Sequence, residues 1–189
     1  MALNETSPIL DNLLVNSFVM DIERVPLFRY NVQSVNLPDV SLPEVRRNSP
    51  FQNIAEVGDH CEFGSVSFEF KVDEELQNYQ LIYYWMVGLG FPERYEQFEQ
   101  FLNGVYEKYG IKKVEDKSSR LFQFSDINLV ILSNQNIPTH QIKFLDAFPN
   151  NLAGLNLNVT TTSTDPVTAT ASFNFTGMEI KSLKNGEDI

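Results

Sequence analysis

Apolar and polar side chains alternate strictly along Val66–Val72: Val66, Phe68, Phe70 and Val72 interleave with Ser67, Glu69 and Lys71. A period of two predicts a strand with one dry and one wet face, as in an antiparallel sheet covered on one side. The same signal recurs at Phe18, Met20 and Ile22, at Tyr30–Val35 closed by Leu37-Pro38, at Ile127, Leu129 and Ile131, and at Ile142 and Phe144. Leu155, Leu157 and Val159 alternate with Asn156 and Asn158. Ala169, Ala171, Phe173 and Phe175 stand opposite Thr168, Thr170, Ser172, Asn174 and Thr176. Thr164-Asp165-Pro166 predicts a hairpin turn between these last two strands, and Phe148–Gly154 a turn-rich bend before them.

The middle of the chain changes period. Asp73 reads as the cap of a helix over 74–87, with Glu74 and Glu75 in the first turn where the helix dipole favours anions. Leu76, Tyr79, Tyr83, Met86 and Val87 form its predicted apolar stripe, with Ile82 beside it. Phe68, Phe70 and Phe173 are its expected packing partners, on the outer side of the sheet. Buried there, Tyr83 would cost about 3–5 kcal/mol on truncation. Gly88–Pro92 ends this helix. A second is expected over 93–109, with an aromatic row from Tyr95 to Tyr109 that reads as core packing and Gly110 as its cap. Residues 1–15 read as an N-terminal extension in which Ser7 and Pro8 start a short helix carrying Ile9, Leu10, Leu13 and Leu14. Such a helix must dock on something to persist. Lys181–Ile189 reads as a frayed tail.

Residues 38–64 show little periodicity and hold Pro38, Pro43, Pro50, Gly58 and Gly64. About 25 residues without strong secondary structure is unusual in a compact domain. This stretch is either a solvated meander or an arm reaching a neighbouring subunit. Arg46, Arg47, Phe51 and Glu56 are its candidate contact residues, the arginines because a guanidinium can bind a carboxylate in a bidentate way.

Composition narrows the function classes. The chain has 189 residues, 42% hydrophobic and 21% charged, enough for one domain with a substantial core. Fourteen Lys and Arg against 25 Asp and Glu give a net charge of −11. That balance opposes any grip on a nucleic-acid backbone. The apolar run around Leu81–Leu89 is too short to span a bilayer, and Asn4 and Glu5 in place of a basic start predict no signal peptide. On that expectation the three Asn-x-Thr sequons, at Asn4, Asn158 and Asn174, are chance matches. Cys61 stands alone, which excludes an internal disulfide or a cysteine zinc site. His60 beside Cys61 is no catalytic pair, since neighbours on an extended chain point to opposite faces. His140 reads as a strand-edge surface histidine. No phosphate loop, metal motif or nucleophile elbow is present, so no enzyme, cofactor or metal site is expected.

Strands, then a helical section, then strands predict an α+β fold of mostly antiparallel sheets, a sandwich or partial barrel with flanking helices. Long strands raise the question of how their open edges are protected, and pairing between subunits is one answer. Four stretches, in this order, resemble the tail tube proteins of contractile-tailed bacteriophages. They are Asn16–Ile22 followed by Tyr30–Pro38; the long loop to Gly64; Phe68–Glu75 running into a helix with Trp85; and Ile142–Leu155 before the closing hairpin. The likeness spans residues 16–180. The 93–109 helix and the 1–15 lead-in look larger than in a minimal tube subunit.

The resemblance implies a virion structural protein that forms homohexameric rings. These stack into a tube within the tail, with tail sheath and baseplate proteins as partners and no membrane. DNA passes through the channel without specific binding, and assembly takes place in the host cytoplasm. It implies that the 38–64 arm contacts the adjacent ring. Asn156, Asn158, Thr168, Thr170, Ser172 and Asn174, on wet strand faces almost free of Lys and Arg, are expected to line the lumen. A tube-initiating baseplate ring of the same fold is the near alternative. A non-enzymatic, carbohydrate-binding baseplate module, using the aromatics of 79–109 as its platform, is the distant one.

Overall fold

A computed structural model describes residues 17–26, 29, 31–48, 51–90, 93–102, 123–155, 157 and 166–183. Among them are eleven strands and two helices. The strands are β1 (Phe18–Ile22), β2 (Val32–Asn36), β3 (Val40–Ser41), β4 (Glu44–Asn48), β5 (Asn53–Val57), β6 (Glu62–Phe63), β7 (Val66–Lys71), β8 (Ser125–Leu132), β9 (Pro138–Leu152), β10 (Thr168–Asn174) and β11 (Gly177–Ser182). The helices, α1 (Gln77–Gly90) and α2 (Tyr95–Leu102), lie between β7 and β8. Every strand pairing is antiparallel, and the body sheet runs β1-β8-β9-β10-β7-β2 with β11 also on β9.

One bent ribbon joins the two halves of the body. The first part of β9 pairs with β8 on one side and β11 on the other, while its last residues pair with β10. The phase of burial switches along β9: Ile142 and Phe144 are buried, then Ala147 and Pro149. The switch falls at Asp146, whose φ of 52° is left-handed, and the register against β8 shifts there too. An extra residue re-aims the strand, so both halves keep their apolar face on the same core. A strand therefore runs through Phe148–Leu152, where the sequence predicts a bend. Pro149 is tolerated because β8 ends opposite Ala147, and among the described residues no strand pairs with this edge of β9 beyond it. The hairpin partner of β10 is likewise Phe148–Leu152, not the predicted 155–159. Leu155 and Leu157 lie outside any strand, and Asn156, Asn158 and the 164–165 turn lie outside the described residues.

The core gathers Met20 and Ile22, Val66, Phe68 and Phe70, Ile127 and Leu129, Phe144, and Ala169, Ala171 and Phe173, closed by α1. Trp85 is fully buried, 5.7 Å from the Phe173 ring, which stacks on Phe68 at 5.3 Å. The Arg24 guanidinium lies 5.2 Å over the Trp85 ring. Burial pushes it down to about 10, so it is still charged at neutral pH.

Helix α1 departs from its predicted start and face. Its inward residues are Asn78, Leu81, Ile82, Trp85 and Gly88, while Tyr83 is 50% exposed and Leu76 37%. Asp73 does not cap. Leu76 N–H donates to the Asp73 carbonyl in a tight turn, with Leu76 at φ 57°, and helical bonding begins with Gln80 N–H on Leu76. Asn78 turns inward to hold this junction. Its Oδ1 accepts from Asp73 N and Tyr79 N, and its Nδ2 donates to Lys71 O at 2.6 Å. The buried stripe is thus one step away from the aromatic row. Helix α2 is described as far as Leu102, and the expected continuation to 109 lies outside the described residues, as does the 1–15 extension. Lys181 and Ser182 belong to β11 and Leu183 N–H bonds Thr139 O, so the tail is not frayed from 181.

Candidate assembly surfaces

Residues 38–64 are not an irregular loop. Asn36 pairs with Ser67, Val40 with Phe63, Ser41 with Glu62, then Glu44 with Val57 through Asn48 with Asn53. The chain from Val32 to Lys71 is thus one long antiparallel hairpin. Its proximal legs, β2 and β7, belong to the body, and its distal legs, β3–β4 and β5–β6, leave it. Val40–Asn48 corresponds to a contour of about 30 Å. Between the two distal ladders, three steps on the outgoing leg face five on the return leg, and the surplus holds Asp59, His60 and Cys61. Gly58 sits where the legs close up: a Cβ there would stand 2.1 Å from the Pro43 carbonyl oxygen. The base is pinned by Phe63, 5.8 Å from Phe175, which in turn lies 5.0 Å from Phe144.

Every residue of β3, β4, β5 and β6 is exposed. One face of the β4–β5 ladder carries Val45, Arg47, Ile54 and Glu56; the other carries Glu44, Arg46, Ala55 and Val57. Arg46 reaches Glu44 at 2.8 Å and Arg47 reaches Glu56 at 3.6 Å. Both predicted arm arginines therefore already hold carboxylates of their own hairpin. Pairs this exposed contribute at most about 1 kcal/mol and are readily exchanged. The larger feature is apolar: Phe51 at the tip is 97% exposed, Val57 77% and Val40 55%. Val40 and Val57 do not stand out in the sequence, because a strand covered on neither face shows no alternation.

The second surface is the wet face of the body. Thr168, Thr170 and Ser172 stand opposite Lys71, Glu69 and Ser67 of β7, and Asn174 opposite Phe148 of β9. The four predicted residues of β10 thus share one face, Thr170 exposed and the others half-buried. The neighbouring strand adds Lys71, a cation that the reading of β10 alone did not place there. Ser34 Oγ donates to Glu69 Oε2 at 3.5 Å. On the β1-β8-β9-β11 half, the wet face carries the row Asp21, Asn128, Lys143, Glu179. Lys143 Nζ lies 2.7 Å from Asp126 Oδ2, and its hydrogen bond to that carboxylate holds the ammonium above its ordinary value. Among the described residues, no cluster of three His, Cys, Asp or Glu is placed to hold a metal, and no helix is long and apolar enough to cross a membrane.

No protein-family model and no curated protein matches the sequence. Solved structures do match along almost the whole chain. A chain of the sheath–tube complex of an extracellular contractile injection system, PVC, in its extended state is 13% identical, with a TM-score of 0.54, and the match covers 93% of this chain and 95% of that one. The sheath/tube terminator of the same system is 14% identical, with a TM-score of 0.53 and coverage of 91% and 98%. The tube-terminating cap of the anti-feeding prophage is 11% identical, with a TM-score of 0.52 and coverage of 93% and 99%. The chain thus carries the tail-tube-like fold shared with these components of contractile injection systems.

Proposed function

We propose that the protein is a structural, non-enzymatic subunit of a phage-type tail tube. Six copies form a ring, rings stack, and the channel conducts DNA during ejection. Its partners are further copies of itself, the sheath and the baseplate, and its place is the assembled tail. The observation that carries this reading is the distal half of the Val32–Lys71 hairpin: a β-ribbon exposed on both faces, tipped by Phe51, on a body with the tail-tube-like fold. Apolar side chains held out on a ribbon of this length are stable in water only at a cost that contact with another subunit removes.

The ribbon is the inter-ring arm in this reading, with Phe51 and Val57 in the contact and Arg46, Arg47 and Glu56 at its rim. The β10 face lines the channel. Thr168, Thr170, Ser172 and Asn174 offer water-binding groups, with Lys71 opposite Thr168 as the cation beside them, and a net charge of −11 keeps a polyanion mobile. Replacing residues 44–57 by a short Gly-Ser turn should leave a folded subunit whose rings no longer stack. Normal polymerisation of that variant contradicts the arm assignment. Thr170→Lys with Asn174→Lys should leave assembly intact and slow ejection, most at low salt. Unchanged ejection from particles carrying both substitutions removes these residues from the channel wall.

A further inference from the structure

On its core side, the β1-β8-β9-β11 half is built in rows across four strands. The first row is Ile22, Ile127, Phe144 and Met178; the second Met20, Leu129, Ile142 and Ile180; the third Phe18, Ile131, His140 and Ser182. Burial fails along a diagonal through these rows. The first is buried or packed on the core, and the second is buried up to Ile142 at 4%, but Ile180 is 52% exposed. The third is half-buried throughout. Ile137, in the turn between β8 and β9, is 55% exposed at the same end, and Leu183 after β11 is 43% exposed. An apolar rim is left open on the side of the sheet that is otherwise sealed.

The chain enters the fold at that rim. Leu132 N–H donates to Ser17 O, and Phe18 opens β1 in the third row. Residues 1–16, outside the described residues, include Pro8-Ile9-Leu10-Asp11-Asn12-Leu13-Leu14. The other segments outside the description fit worse. Residues 184–189 leave beside the rim but read Lys-Asn-Gly-Glu-Asp-Ile. Residues 158–165 lie between the far end of β9 and the start of β10, and 103–122 lead to the start of β8, both at the opposite end of their sheets. Length agrees as well. From β1 to β11 is three strand spacings, about 14 Å. Val15 and Asn16 extended span about 7 Å, and a helical turn and a half back to Leu10 adds about 7 Å.

We propose that residues 8–14 lie across this rim of their own chain, with Leu13 and Leu14 over Phe18 and Ile131 and Leu10 over Ile180. The segment seals the core against water at the open β11 edge. The test uses the full chain with Cys61→Ser, Leu10→Cys and Ile180→Cys, oxidised mildly at a dilution where it is monomeric. The expected product is a disulfide within one chain, with loss of both titratable thiols, formed at least about five times faster than with Asp11→Cys in place of Leu10→Cys. Two free thiols in a folded chain, or cross-links found only between chains, overturn the proposal. Independently, Leu10→Asp should raise hydrogen exchange at the β11 amides by about ten-fold and leave those of β7 unchanged. Unaltered exchange at β11 overturns it too.

Discussion

The β7–β10 pair and the β4–β5 pair are both antiparallel ladders of ordinary length, and they obey different rules. In the first, Val66, Phe68 and Phe70 meet Phe173, Ala171 and Ala169 on a dry face, and burial alternates residue by residue. In the second, every residue is exposed and apolar residues stand on both faces. A sheet half-covered by a core writes its own register into the sequence, because a one-residue slip would invert inside and outside. A free ribbon carries no such constraint within the monomer. What holds it is the ladder, the Gly58 crossing and Phe63 at its base.

The sharpest way to break this comparison is to truncate one aromatic on each side of it. Trp85→Ala should cost about 3–5 kcal/mol in denaturant unfolding, as a fully buried aromatic packed on Phe173 and under Arg24. Next, Asn78→Ala should cost about 1–3 kcal/mol, since it orphans Lys71 O and Asp73 N at the β7–α1 junction. Tyr83→Ala, on the exposed side of α1, should cost under about 1 kcal/mol, which reverses the sequence expectation.

Smaller effects sharpen the contrast. Lys143→Met should cost under about 1 kcal/mol at neutral pH, because the pair with Asp126 is partly exposed. The folded state raises the lysine's pKa, so its contribution is complete below the ordinary value of 10.5 and is lost as pH rises past it. The difference between wild type and Lys143→Met should therefore shrink above that pH. Smallest of all, Phe51→Ala should leave monomer stability within about 0.5 kcal/mol, although it removes the most exposed large side chain of the arm. Any larger effect is expected on assembly, read by size separation of the variant.

What was legible in the sequence follows the same division. The alternation of β1, β7, β8 and β10 was readable because each has one buried face. The start of α1 was not. Asp73 followed by two glutamates reads as a helix cap, but the left-handed Leu76 and the inward Asn78 place the first turn three residues later. The aromatic row of Tyr79 and Tyr83 outweighed a stripe that contains Asn78 and Gly88, so the face was misread. Phe148–Leu152 reads as a turn because Pro and Asn cluster there; a bulge at Asp146, and an edge unpaired among the described residues, accommodate them. The polar face of β10 was legible from its alternation. The 38–64 stretch stood out by its length and prolines, though not as a ribbon.

The central claim is that the exposed ribbon joins copies of this chain into stacked rings. Light scattering coupled to size separation, on the purified full chain and on the variant lacking residues 44–57, tests it most directly. The account predicts masses of about six chains and multiples of that ring for the full chain. For the variant it predicts no species larger than one ring, with an unchanged circular dichroism melt. A full chain that stays monomeric at high concentration, or a variant that stacks as well as the parent, contradicts it.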